Sequence, residues 1–190
     1  MCTEGVYHQY TSGVSVTLIK AAGTALVSIL LSHPLWAPQW GRGILGEIGA
    51  QGMPGALIAV AVFFGLVALY CRALQRTMTA VRPAARTASP ASVWWMFAIP
   101  YNFTEDFFIV RTVTASLTAD GHVTGGFIRW WTALGYSWCT LQILSLLPGT
   151  TGYIGGAVAL PLWAAHWIMT VRVNRMLGAR RQVIPLPHDL

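Results

Sequence analysis

Two adjacent carboxylates, Glu105 and Asp106, interrupt an otherwise apolar stretch and are the side chains best placed to do chemistry. Asn102 precedes them, Arg111 follows, and Arg129 and Trp131 open the next apolar segment. Neighbouring residues of a helix point about 100° apart, so the two carboxylates do not make a shared acid/base pair. One reading pairs one of them with Arg111 or Arg129, as an ion-paired cap at the membrane interface. The other makes Asn102, Glu105, Asp106, Arg111, Arg129 and Trp131 a polar pocket for a lipid headgroup or a small polar ligand. Ionisable side chains at membrane depth are the first place to look for such a site.

Catalytic and metal chemistry find little support. Near the acidic pair only Thr104 and His122 offer a nucleophile or a metal ligand, so no catalytic or metal residue is assigned. Cys2, Cys71 and Cys139 form no C-x-x-C pair. Cys71 is expected at a cytoplasmic helix end and Cys139 within a span, too far apart for a disulfide. His33 and His166 are expected near opposite ends of their helices, so they do not ligate one haem from both sides. His166 is expected to bond a neighbouring helix. His8, His122 and His188 fall in loops and tails. The pairs Trp94-Trp95 and Trp130-Trp131 could wall a quinone, carotenoid or chlorin, yet interfacial anchoring already explains indoles at segment ends. Trp138 and Trp167 lie deeper and suit packing or pigment contact. No particular cofactor is specified.

These residues need a scaffold, and the composition fixes its class. The chain is 55% hydrophobic and 9% charged, against about 25% charged in soluble domains. Apolar runs near the roughly 20 residues needed to cross the hydrocarbon occur at 14–31, 53–70, 127–147 and 153–171. Lys20 falls within the first of them. Its stem either snorkels to the near interface or carries its charge to a buried carboxylate. Pro34 with Trp36 and Trp40 is expected to end that helix. Ala61 and Gly65 in the second, and Gly152 and Gly156 in the fourth, are spaced for close helix contact. Trp131, Trp138 and Gln142 share one face of the third.

Eleven Arg and a single Lys give a net charge of +6. Arg72, Arg76, Arg82 and Arg86 follow the second run, and Arg172, Arg175, Arg180 and Arg181 follow the last. Basic residues collect in short cytoplasmic loops, so both clusters are expected inside, where they attract anionic lipid rather than nucleic acid. That assignment holds only if residues 93–113 do not cross. Pro100-Tyr101-Asn102 breaks this segment, and irregular backbone at depth needs protein or water to cover it.

The expected fold is therefore all-α: a polytopic membrane protein with four transmembrane helices and one Pro-broken, re-entrant or interfacial helical hairpin at 93–113. A polar lead (1–13) precedes a single membrane domain (14–176), and a basic cytoplasmic tail (177–190) closes it. Both termini face the cytoplasm of a bacterial inner membrane.

The order of several short motifs is similar to that of a known family. Tyr70-Cys71-Arg72-Ala73 ends a helix, and Trp94-Trp95-Met96-Phe97-Ala98-Ile99-Pro100-Tyr101-Asn102 leads to Val110-Arg111. Trp130-Trp131 opens a helix, and Val171-Arg172-Val173-Asn174-Arg175 closes the last. Over roughly residues 55–182 this resembles the bacterial membrane family designated domain of unknown function 4328. The resemblance implies an architecture and no activity. Phe103-Thr104-Glu105-Asp106 departs from it, standing where that family has apolar residues and a second Pro.

The functional expectation is a non-enzymatic integral membrane protein, an accessory or structural subunit binding partner helices or lipid, or a homo-oligomer. The alternative is a small transporter or lipid- or small-molecule-handling protein that uses the polar broken hairpin as its binding site.

Overall fold

The computed structural model describes the backbone of residues 3–41 and 43–183, and the side chains of 14–41 and 46–179. All elements are helical, with no strand among the described residues. They are α1 (Thr3–Trp36), a 3-10 turn (Pro38–Trp40), α2 (Gly43–Gly49) and α3 (Gly52–Ala80). Two 3-10 segments (Pro83–Ala85 and Pro90–Phe97) lead to α4 (Asn102–Asp120), α5 (Gly125–Leu144) and α6 (Thr150–Val183). Three stretches are long and apolar enough to cross a membrane: Val14–Trp36, Gly52–Ala80 and Thr150–Ala179. α5 has 20 residues but carries Arg129, Ser137, Thr140 and Gln142.

The helices overrun the ends expected from sequence. Pro34 lies inside α1 rather than after it. It cannot donate to the Leu30 carbonyl, and the ring Nδ1 of His33 takes that oxygen instead, at 2.7 Å. α3 continues past Tyr70 to Ala80 because its charges stay on one face. Arg72 and Arg76 point outward, while Tyr70, Cys71, Leu74 and Met78 form a buried stripe at helical spacing. Cys71 is thus a core residue and does not mark a helix end. The backbone of residues 3–13, expected as a polar lead, belongs to α1, and α6 runs on to Val183 within the expected tail. Met1, Cys2, Arg42 and residues 184–190 lie outside the described residues, as do the side chains of His8, Arg180 and Arg181.

Residues 90–120 fold back on themselves against α3. The Pro90–Phe97 segment runs antiparallel to α3: the Trp94 indole donates to Gln75 Oε1 at 2.9 Å, Cys71 Sγ approaches the Val93 carbonyl at 3.5 Å, and Phe97 stacks on Phe64. The chain turns through residues 98–101, where the Ile99–Pro100 peptide is cis. α4 then returns, and its last residue is held at the end of α3. Arg82 donates from its backbone and its Nε to Asp120 Oδ1 at 3.0 and 3.1 Å, and from Nη2 to the Asp120 carbonyl at 2.7 Å. Gly121 closes α4 in the left-handed conformation, with φ of 69°, which glycine adopts without penalty.

α5 packs antiparallel on α4 through Thr114–Thr132 and the stacked rings of Phe107 and Tyr136. α6 packs antiparallel on α5. Their junction is tight because a Cβ at Gly152 would overlap the Leu147 carbonyl, and one at Gly155 would lie 3.0 Å from the Ser145 nitrogen. The small-residue spacing at the start of α6 therefore serves packing within the chain, with Gly155 closer to α5 than Gly156. Ala61 and Gly65 do not behave this way. Both are exposed on α3, and a Cβ at Gly65 would meet nothing within 4 Å.

Candidate functional site

The polar residues converge at the first turns of α4, where α1 touches the bundle. Close approach is possible because α1 carries Gly23 there: a Cβ at that position would lie 2.6 Å from Thr104 Oγ1. One turn earlier on α1, Lys20 reaches across. Its Nζ lies 2.5 Å from Glu105 Oε2, donates to the Tyr101 hydroxyl at 3.2 Å, and sits 4.6 Å from the centre of the Phe108 ring. An ammonium held by a carboxylate, a phenol and a ring face keeps its charge with little need of water. Of the two readings of Lys20, the structure has the carboxylate partner rather than the snorkelled stem.

Asp106 takes the next position and faces inward. It is 2% exposed, and its Oδ1 has no hydrogen-bond partner. Tyr70 and Cys71 from α3 and Cys139 from α5 lie within its electrostatic reach. One turn before it, Asn102 is 6% exposed, and its Oδ1 is likewise without a partner.

Beyond Asp106 lies an aromatic core around Tyr70. Its hydroxyl and His166 Nδ1 are 2.7 Å apart, the bond to a neighbouring helix expected of that histidine. The rings of Trp138, Trp163 and Trp167 contact Tyr70 edge-on. Trp131 lies over the His166 ring at 4.2 Å and donates from its indole to Thr170 Oγ1 at 3.0 Å. Gly135 makes room for this packing: a Cβ there would lie 2.8 Å from the Val110 side chain and 3.0 Å from His166 Nε2.

The six candidates from sequence therefore divide. Asn102, Glu105 and Asp106 stand together. Arg111 and Arg129 are exposed on α4 and α5, and Glu105 takes Lys20 instead of either. Trp131 is buried in the aromatic core and does not line the acidic cluster. Trp131, Trp138 and Gln142 do share the inward face of α5, as their spacing predicts. Sequence reasoning missed Tyr101 and Tyr70. Tyr101 could have been found as the one phenol next to the acidic pair. Tyr70 offered no signal, because it stood at what looked like a helix end.

His33 sits elsewhere, beside a cavity of about 30 Å³ lined by Leu30, Leu31, Gly43, Ser145, Leu146 and Leu147. That is room for about one water. That cavity lies just past the end of α5 at Leu144, whereas His166 packs at Gly135, roughly 14 Å before that end at 1.5 Å per residue. The two rings are too far apart to share one haem. Among the described residues, no three His, Cys, Asp or Glu side chains converge in a way that suits a metal ion.

The fold and site define an all-helical protein with three helices able to cross a membrane and a charged cluster at the start of α4. No protein-family description, curated protein or solved structure matches the chain.

Proposed function

We propose that the chain is a multi-pass protein of a bacterial inner membrane, crossing four times through α1, α3, α5 and α6. Residues 90–120 then form a re-entrant hairpin that enters and leaves on the Arg-bearing side, with both termini cytoplasmic. Two observations support this. The Arg82–Asp120 contacts tie the end of α4 to the end of α3, and Thr87, just before the Pro90–Phe97 segment, donates to Ser116 Oγ in the last turns of α4. Arg72, Arg76, Arg82 and Arg86 then lie at the same face as Arg172 and Arg175, as short cytoplasmic loops require. The resemblance to domain of unknown function 4328 belongs to this proposal. Single cysteines labelled with an impermeant maleimide test it, in a chain with Cys2 replaced by Ala. His122→Cys is expected to react from the cytoplasmic side and Thr151→Cys from the outside. A crossing at α4 would reverse both.

On function, the same proposal makes this a small transport or lipid- and small-molecule-handling protein that binds at the start of α4. One observation carries it. Lys20, Tyr101, Glu105 and the unpartnered Asp106 and Asn102 gather at the single level where α1 meets α4. Charged groups at membrane depth are expensive and mark ligand or ion pathways more often than scaffolding. The pair is also approachable from the side, since the Lys20 side chain is 23% exposed. Native mass spectrometry of the chain released in its own lipids tests the reading. The wild type is expected to retain a lipid or small-molecule adduct, and Glu105→Gln, compared below its own unfolding midpoint, to reduce it roughly tenfold, about 1.4 kcal/mol of binding. Equal retention by both would sink the idea.

A second reading, an accessory subunit or homo-oligomer, draws on α1. Only 6% of an apolar 18-residue window of α1 is buried within the chain, against 22% for the corresponding windows of α3 and α6. The same spectrum decides: a second polypeptide or a second copy released with the wild type favours this reading.

A further inference from the structure

Two buried acceptors one helical turn apart demand a donor between them. Asn102 and Asp106 stand at i and i+4 on α4, so their side chains lie one above the other, with Cβ atoms about 5–6 Å apart. Each presents an Oδ1 that is buried and has no partner. Among the described residues no cation is free to serve them: Lys20 is engaged by Glu105 and Tyr101. The other elements packed against this face bring no second positive charge among the described residues. α3 brings Tyr70 and Cys71, α5 brings Cys139, and the Pro90–Phe97 segment brings the apolar Val93 and Met96. α6 brings His166, whose Nδ1 is bonded to the Tyr70 hydroxyl and whose unpartnered Nε2 lies against Gly135, and on α4 itself Glu105 is the neighbouring charge. The Cys71 thiol points away, to the Val93 carbonyl and Met96 Sδ.

A carboxylate placed here would be desolvated, with at most the Asn102 amide to donate to it. A carboxylic acid escapes that penalty. Its hydroxyl can donate to Asn102 Oδ1 one turn back, which satisfies both orphaned oxygens at once.

We propose that Asp106 is a proton-binding site within the membrane, its acid form donating to Asn102, so that the exchangeable ligand at the start of α4 is H⁺. This rests on the reading of that cluster as a binding site and names its ligand. The position suits a coupled step. Asp106 adjoins Glu105, which anchors α1 through Lys20, so loss of the proton would place a second negative charge beside the ion pair that holds α1.

Dicyclohexylcarbodiimide tests the site, because it modifies protonated carboxyls in apolar surroundings and the modified peptide is read by mass spectrometry. The full chain in liposomes is treated across a pH series. Asp106 is expected to be labelled at acidic pH, with the rate falling roughly tenfold per pH unit above its midpoint, as the protonated fraction does. Asn102→Leu removes the acceptor and is expected to move that midpoint to lower pH. The profile is read on the wild type, so it does not depend on any variant folding. Three outcomes overturn the proposal: no labelling of Asp106 at any pH, a rate independent of pH, or suppression by sodium at constant pH, which would make the site a sodium site. Labelling with the expected profile in a chain that retains no adduct would leave the proton site standing while the handling of lipid or small molecules fails.

Discussion

Lys20→Met is expected to destabilise the folded chain by about 3–5 kcal/mol, because it leaves the Glu105 carboxylate buried without its partner. Lys20 and Glu105 lie 2.5 Å apart, with side chains 23% and 11% exposed, so solvent does little to replace what is lost. The effect is concentrated on α1, which meets the rest of the chain at the Lys20–Gly23 level, at the buried Val27 and at its far end near Leu146. For a chain of this length, such a loss lowers the unfolding midpoint by on the order of 10 °C. The decisive comparison is the double variant Lys20→Met/Glu105→Leu. Removing both charges leaves no orphan, and replacing a buried pair by apolar groups is often neutral or better. The double variant is therefore expected to recover most of the stability. If the single substitution is silent, or the double is as unstable as the single, the ion pair is not what holds α1.

That pair also shows what the sequence could and could not disclose. Two carboxylates in an apolar stretch announce themselves by type alone, so Glu105 and Asp106 were legible. Their partner was not, because proximity in sequence favoured Arg111. At 100° per residue, six positions turn Arg111 about 120° away from Glu105, toward the exposed side. Lys20 comes from a helix far away in the chain, and only the Gly23–Thr104 approach brings it near. Helix ends were misread for a related reason. A run of hydrophobicity stops at the first arginine, but a helix does not, so α3 carries Arg72 and Arg76 on its outer face and its core stripe on the other. The break at Pro100 was legible because proline leaves a helix few options. The fold-back against α3 depends on Trp94–Gln75 and Arg82–Asp120, contacts that no local pattern encodes.

Trp131→Ala is expected to cost about 3–5 kcal/mol, while Trp130→Ala stays within roughly 0.5 kcal/mol of the wild type in detergent. The two indoles are adjacent in sequence and alike in chemistry, and interfacial anchoring treats them as equals. Their surroundings differ completely. Trp130 is 70% exposed, whereas Trp131 is fully buried, tilted against the His166 ring and bonded to Thr170. Truncating Trp131 opens a cavity between α5 and α6 that neighbouring rings, already packed around Tyr70, can fill only in part. Trp131→Phe separates the two contributions, since it keeps a ring over His166 and removes the donor to Thr170 with only part of the volume. Its loss is expected to be smaller, about 1–2 kcal/mol beyond the change in size. Unfolding midpoints of the three variants in one detergent measure all of this. Equal losses at Trp130 and Trp131 would mean that both act at the interface and that the aromatic core around Tyr70 does not hold α5 to α6. A large loss at Trp131 alone would assign this indole to the interior, where it positions the helix that carries Cys139 against Asp106.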